Sequence, residues 1–144
     1  MAGHFDAAVI GTGQAGPPLA NRLTGAGMTV AVIERGRFGG TCINTGCMPT
    51  KTMVASAYAA HLAAKAADYG IAIEGRVTVD MKKVIARKNL VSDTAQQNIE
   101  SWLASMPGCT VIRGHARFVS PNEIEVGTQR LMTCSELTAA RVMA

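Results

Sequence analysis

FDAAVIGTGQAG, residues 5–16, joins an apolar run to three glycines in the spacing G-x-G-x-x-G. The apolar run predicts a buried strand over residues 5–10, and the pattern PPLANRLTGAG after it predicts a helix. MTVAVIE, residues 28–34, predicts a second buried strand. Strand, glycine turn, helix and strand in this order form a βαβ unit, so the two strands are expected to be parallel.

Each glycine of this stretch has a physical role in binding a dinucleotide. Gly11 permits the tight turn, Gly13 lets the backbone approach a pyrophosphate, and Gly16 lets the helix pack against the strand. The helix N-terminus offers free N–H groups and a positive dipole end to the phosphates. Glu34 closes the next strand about 20 residues on, where it can accept hydrogen bonds from a ribose. The glycine pattern alone is weak evidence, but this context predicts a dinucleotide site.

The rest of the chain reads as one α/β unit over residues 1–144. A glycine-rich loop is expected at 35–46, and helices are expected at 47–67 and 80–105. Three short strands are expected at 109–114, 115–120 and 122–127, separated by turns. The sequence shows no internal repeat and no low-complexity linker.

Composition narrows the classes of partner and compartment. The chain has a formal net charge of +4, but its Lys and Arg residues are scattered, which disfavours a nucleic-acid surface. With 48% apolar and 17% charged residues, a globular fold is expected. The N-terminus lacks the pattern of a secretion signal, and no stretch suits a bilayer span. The protein is therefore expected in the cytoplasm, and neither nucleic acid nor a membrane is expected as a partner.

GGTCINTGCMPTK, residues 39–51, contains a pair of cysteines separated by four residues. A helix rises ~1.5 Å per residue, so Cys42 and Cys47 would be ~7.5 Å apart along the axis of one regular helix. A disulfide allows a Cα separation of only ~7 Å, so either Cys42 lies in the loop or the helix is distorted, with Gly46 supplying the freedom to bend. A static disulfide, a metal site and a redox-active dithiol are the alternatives, and the adjacent dinucleotide site favours the dithiol.

The chain resembles the class I pyridine nucleotide-disulfide oxidoreductases in three segments, GTGQAG, VIE and GGTCINTGCMPTK. This family includes dihydrolipoamide dehydrogenase, glutathione reductase and mercuric reductase. The segment RGHARF, residues 113–118, also resembles this family. The resemblance implies a Rossmann-like FAD-binding domain with a parallel sheet, long helices and a small antiparallel β addition. It implies FAD as cofactor and electron transfer from NAD(P)H through the flavin and a Cys42–Cys47 disulfide to a dithiol, a disulfide or mercuric ion.

The same resemblance assigns roles to single positions. Cys47 corresponds to the charge-transfer thiolate that faces the flavin, and Cys42 to the interchange thiol that attacks substrate. The other positions correspond to residues that contact FAD: Gly11, Gly13 and Gly16 at the pyrophosphate, Glu34 at the ribose, Thr41 against the cofactor, Lys51 near flavin N5, and His115 and Ala116 at the adenine.

The family's chains are roughly three times longer than this one, so a truncated or split protein is expected. No second G-x-G-x-x-G occurs after residue 46, and the NAD(P)H-binding and dimerisation domains have no counterpart. Residues 137–144 resemble the strand that leads to a further FAD-binding turn. Homodimers are therefore expected for the full-length proteins but not for this chain, and turnover of NAD(P)H by it is not expected. The alternative function is a non-catalytic module that binds FAD, a thiol or a metal.

Overall fold

The computed structural model describes residues 3–133, which form an α/β unit of two sheets and four α-helices. The helices are α1 (Gly16–Gly25), α2 (Gly40–Asn44), α3 (Cys47–Ala64) and α4 (Met81–Ser105), with a 3₁₀ helix at Ala66–Tyr69. The strands are β1 (Gly3–Phe5), β2 (Ala7–Ile10), β3 (Val30–Glu34), β4 (Cys109–Arg113), β5 (Ala116–Ser120), β6 (Glu123–Val126) and β7 (Gln129–Thr133). The expected strand at 137–144 and the fourth cysteine, Cys134, lie outside the described residues.

The central element is a parallel sheet in the order β2-β3-β4. Strand β3 has the sequence VAVIE, and its first four residues are buried. Because successive side chains of a strand point to opposite faces, a continuous apolar run is the pattern of a strand covered on both sides. This arrangement confirms the α/β class and the parallel βαβ unit expected from residues 5–34.

The two faces of β3 belong to two different apolar clusters. Val30 and Val32 pack in the cluster that includes Phe38 of the following loop and Leu103 of α4. Ala31 and Ile33 pack in the second cluster, which joins the parallel sheet to the small sheet; its other buried members are Ile124, Val126 and Leu131. Burying a Val or Ile side chain is worth roughly 1.5–3 kcal/mol, so β3 stabilises both clusters.

The small antiparallel addition is present as the meander β5-β6-β7, with β1 added in parallel to β7. The single strand expected at residues 5–10 is therefore wrong, because the chain changes sheets at Asp6. The carboxylate of Asp6 accepts hydrogen bonds from the N–H and hydroxyl of Thr29, at 2.7 and 2.8 Å. The backbone N–H of Asp6 donates to the hydroxyl and the carbonyl oxygen of Thr29. These bonds fix the break and replace the ladder bonds lost there. Strand β7 has no counterpart among the expected strands.

The glycine-rich loop expected at residues 35–46 is only partly a loop. Helix α2 occupies Gly40–Asn44, so the irregular chain is confined to residues 35–39 and to the break at Thr45 and Gly46. The helix expected at 47–67 ends at Ala64 and continues as the 3₁₀ helix. The helix expected at 80–105 is confirmed, with the Asp80 side chain accepting from the N–H groups of Lys82 and Lys83.

Candidate dinucleotide and dithiol site

The glycine loop between β2 and α1 has the tight geometry that its spacing predicts. Gly11 adopts a φ of +97°, a region that favours glycine, and its N–H donates to the carbonyl of Ile33 at 2.8 Å. A Cβ on Gly16 would overlap the carbonyl oxygen of Gly11, so any larger residue there would separate α1 from β2. The turn and the close helix–strand packing expected of these two glycines are both present.

The N-terminus of α1 offers donors from the loop but not from the helix. Pro17 and Pro18 occupy the first turn and carry no N–H, and no side chain caps this end. In the part of the chain that the structure describes, the N–H groups of Gly13, Gln14 and Ala15 have no protein acceptor. Any anion bound at this helix end would therefore meet those three loop donors rather than donors of the first helical turn.

Glu34 lies at the end of β3 beside the same loop. Its Oε2 accepts from the N–H of Thr12 at 2.9 Å and from the Thr12 hydroxyl at 2.6 Å, and its Oε1 accepts from the N–H of Gly36 at 2.8 Å. Partial burial raises the pKa of Glu34, but the hydrogen bonds from Thr12 and Gly36 outweigh it and hold this pKa below its ordinary value. The carboxylate is therefore ionised and fixed in orientation next to the glycine turn.

The segment that leads into α2 packs directly on the glycine loop. The N–H of Gly39 donates to the backbone oxygen and to the hydroxyl of Thr12, at 3.1 and 3.2 Å. A Cβ on Gly40 would lie 2.8 Å from the Cα of Gly13, which leaves no room for a side chain. The helix that carries Cys42 is thus held against the glycine loop and its three N–H groups that have no protein acceptor within residues 3–133.

The two cysteines meet across the break between α2 and α3. Cys42 is half-buried in α2, Cys47 is the exposed first residue of α3, and both are free thiols. The break bends at Gly46, where a Cβ would lie 2.9 Å from the carbonyl oxygen of Thr41 and 3.4 Å from the Cα of Cys42. Of the two arrangements left open by the spacing, the structure has the helical path interrupted between the cysteines.

The thiols are electrostatically linked. The hydrogen bond to the Cys47 side chain is the main reason why the pKa of Cys42 is raised, and burial adds to it. The Cys47 N–H and the ammonium of Lys51 act in the opposite direction but are weaker. The Cys42 thiol is therefore harder to ionise in this position than a free cysteine.

The remaining predicted positions lie around these elements. Thr41 is exposed in α2, and Lys51 is exposed in the first turns of α3. His115 is exposed and Ala116 is half-buried at the start of β5. The N–H of Gly114, just before them, donates to the carbonyl oxygen of Glu34 at 2.9 Å, so this segment is close to the carboxylate.

Sequence reasoning missed two polar residues that shape the site. Thr12 is 1% exposed and contacts both Glu34 and Gly39. Asn44 donates from Nδ2 to the carbonyl oxygens of Phe38 and Gly40, both at 2.9 Å, and so closes the loop onto α2. Thr12 occupies a variable position of the glycine pattern, so no spacing rule points to it; Asn44 stands between the cysteines, which was the available signal.

Comparison with known proteins bears out the class that the fold and the cysteine pair define. The profile of the pyridine nucleotide-disulphide oxidoreductase family matches residues 5–140, and the chain belongs to this family. A dihydrolipoyl dehydrogenase of Rhizobium etli is 35% identical over 127 residues, which make up 88% of this chain and 26% of that protein. A mercuric reductase of Shigella flexneri is 37% identical over 118 residues, or 81% of this chain and 21% of that protein.

A solved structure of a flavoprotein disulfide reductase has a similar fold. The Cu(II) complex of the HOCl-induced flavoprotein disulfide reductase RclA from Escherichia coli matches with a TM-score of 0.75 and 33% identity, over 92% of this chain and 27% of that one. The chain thus spans about a quarter of the length of the relatives it matches.

The described residues hold neither a cluster of metal ligands nor a membrane-spanning helix. Within residues 3–133 no three His, Cys, Asp or Glu side chains come together in a way that could hold a metal ion. No helix in this range has the length and hydropathy needed to cross a bilayer.

Proposed function

We propose that this chain binds FAD and that Cys42 and Cys47 alternate between a dithiol and a disulfide in exchange with it. The observation that carries the proposal is the packing of Gly39 and Gly40 onto the glycine loop, since it places the cysteine pair next to the nucleotide-binding turn. In the longer proteins of the family the electrons would come from NAD(P)H.

The chain's own residues fit FAD. The N–H groups of Gly13, Gln14 and Ala15 would bind the pyrophosphate, and the Glu34 carboxylate would accept hydrogen bonds from the ribose. His115 and Ala116 would supply backbone contacts to the adenine, while Thr41 and Lys51 would lie at the flavin end. A Lys51 ammonium near the flavin would favour a negative charge there.

The cysteine chemistry balances as a two-electron exchange. Closing the bridge removes two electrons and two protons from Cys42 and Cys47, and opening it returns them. FAD, when bound, accepts or supplies those two electrons. By correspondence with the family, Cys47 would be the thiolate that faces the cofactor, and Cys42 would be the thiol that exchanges with substrate. A metal centre is the less favoured alternative, since the cysteine pair has no third ligand within residues 3–133.

The substrate class, the compartment and the assembly are also proposals. A dithiol, a disulfide or mercuric ion suits a reactive cysteine pair, and the cytoplasm suits thiols that must be reduced in each cycle. Homodimers belong to the longer proteins. The 144 residues alone are expected not to oxidise NAD(P)H, because they contain only one G-x-G-x-x-G pattern.

The test is reconstitution of the purified chain with FAD. Equilibrium dialysis should give about one FAD per chain, and oxidation should lower the titratable thiols by two. Cys42→Ser and Cys47→Ser should each bind FAD but fail to close the bridge, whereas Cys109→Ser should behave as wild type. Absence of FAD binding at saturating cofactor, or a bridge that forms normally without Cys42, contradicts the proposal.

A further inference from the structure

Thr12 is the most buried polar side chain in the described residues that connects two parts of the site. It lies inside the glycine pattern, at the position between Gly11 and Gly13, and is 1% exposed. A hydroxyl this deeply buried costs free energy unless its hydrogen bonds are made. The Thr12 hydroxyl makes one hydrogen bond as a donor and one as an acceptor.

The two bonds reach different functional elements. The hydroxyl donates to Oε2 of Glu34 at 2.6 Å, a short bond of the kind formed with an ionised acceptor. The same oxygen accepts from the N–H of Gly39 at 3.2 Å, directly before α2 begins. One oxygen atom therefore joins the carboxylate of β3 to the N-terminus of the helix that carries Cys42.

We propose that Thr12 is a positioning residue whose hydroxyl orients the Glu34 carboxylate toward the cofactor ribose and ties it to the start of α2. The proposal rests on the proposed function, because the ribose belongs to FAD. Thr12 itself touches neither the ribose nor the reacting sulfurs; it acts through Glu34 and Gly39.

The geometry explains why the hydroxyl matters. Oε1 of Glu34 is held by the N–H of Gly36 and Oε2 by Thr12, so rotation of the carboxylate is restrained at both oxygens. A carboxylate has about four lone-pair sites, and the two donors on Oε2 and the one on Oε1 leave a site on Oε1 that can accept from a ribose hydroxyl. Without the hydroxyl, the backbone N–H of Thr12 still bonds Glu34 and Gly39 still bonds the Thr12 carbonyl, so the turn is kept while the orientation is weakened.

The neighbouring arginine side chains do not orient the Glu34 carboxylate. Arg113 of β4 is the register partner of Glu34, but its guanidinium pairs with Glu100 and lies 4.8 Å from the Phe38 ring centroid. Arg35 follows Glu34 in the chain and contributes through its backbone N–H. Within residues 3–133 Glu34 has no salt bridge, so its ionised form is favoured by neutral donors alone.

The first measurement uses the cofactor-free 144-residue chain, with the Glu34 carboxyl carbon followed by NMR against pH. Thr12→Val, which is nearly isosteric, should raise the pKa of Glu34, and Thr12→Ser should restore the wild-type value. Thr52→Val is the matched control, because it removes another buried threonine hydroxyl, which donates to the carbonyl oxygen of Met48 within α3. A Glu34 pKa that is the same in wild type and Thr12→Val, or is not restored by Thr12→Ser, overturns the proposal.

The second measurement is FAD affinity between pH 7 and pH 4 for the same variants. Loss of one hydrogen bond to a charged group should weaken binding about tenfold in Thr12→Val, with recovery in Thr12→Ser. The affinity of Thr12→Val should also begin to fall at a higher pH than that of wild type. Equal affinities at every pH would show that Glu34 is oriented without Thr12.

Thr12→Val could also unfold, and the wild-type protein then supplies the test. A slowly exchanging hydroxyl proton of Thr12 should be visible, and it should be lost in Glu34→Leu, which has no side-chain acceptor; its absence from wild type counts against the bond. The two proposals fail separately: wild type that does not bind FAD contradicts the proposed function, whereas the cofactor-free titration decides the Thr12–Glu34 bond in either case.

Discussion

Gly40 lies against Gly13 so closely that a Cβ on Gly40 would come within 2.8 Å of the Gly13 Cα. This contact joins the glycine loop, where the nucleotide is proposed to bind, to α2, which carries the first cysteine of the pair. Two motifs that are 26 positions apart in sequence (residues 13–16 and 39–42) thereby become one site.

Gly40→Ala should disrupt this contact. The residue has a φ of +60°, which a side chain rarely adopts, and its Cβ would meet backbone that cannot move away. Strain and overlap of this kind cost about 1–3 kcal/mol, so urea unfolding should shift to lower concentration and FAD binding should weaken. Gly25→Ala is the matched control, because a Cβ there meets nothing within 4 Å; a Gly40→Ala protein as stable as this control contradicts the packing described above.

Gly46→Ala should make the cysteine bridge easier to reduce. The new Cβ would press on the Thr41 carbonyl oxygen and on Cys42 Cα, so Cys42 would be displaced from Cys47. Disulfides require a narrow range of Cβ separation, and strain makes them more reducible. Equilibration with dithiothreitol should show about a tenfold shift toward the dithiol. The same shift in Gly25→Ala, or none in Gly46→Ala, would refute the role of Gly46.

Cys47→Ala should make Cys42 more reactive at mildly alkaline pH. The hydrogen bond to Cys47 is the main cause of the raised pKa of Cys42, so its removal should lower that pKa and increase the thiolate fraction at a given pH. Iodoacetamide alkylation, with sites resolved by mass spectrometry, should accelerate at Cys42 below its wild-type pKa. Cys109→Ala should leave this profile unchanged. A slower reaction at Cys42 in Cys47→Ala would reverse the assignment.

Asp6→Asn should lose stability at neutral pH but not in acid. The hydrogen bonds from Thr29 lower the pKa of Asp6 in the folded protein. A lowered folded-state pKa stabilises the fold above the unfolded pKa of about 3.9, and this contribution is lost as pH falls through the folded value. Unfolding curves of wild type and Asp6→Asn should therefore differ at pH 7 and converge as the pH falls below the folded-state pKa of Asp6. Asp68→Asn, at an exposed carboxylate of the 3₁₀ helix, should track wild type throughout, and a pH-independent difference for Asp6→Asn would contradict the pKa assignment.

Much of the fold could be predicted because the relevant signals are local. Each of these signals lies within a few residues along the chain: the apolar run of β3, the spacing of Gly11 and Gly16, and the cap at Asp80. The break at Asp6 could not be predicted in this way, since it depends on Thr29, 23 positions away. Helix α2 could not be predicted for a different reason, because GGTCINTG is rich in residues typical of loops. This short segment is helical because Ile43 is buried and Asn44 makes hydrogen bonds to the backbone.

The sequence by itself determined the βαβ unit, the glycine turn and the spacing of the cysteine pair, because glycine geometry and apolar periodicity act over a few residues. Only the tertiary structure decided how these parts meet: Thr12 between Glu34 and Gly39, Gly40 on Gly13, and a bend at Gly46 that brings Cys42 to Cys47. The physical reason is that such contacts join segments that are distant along the chain, and close packing of the backbone around them sets which atoms touch.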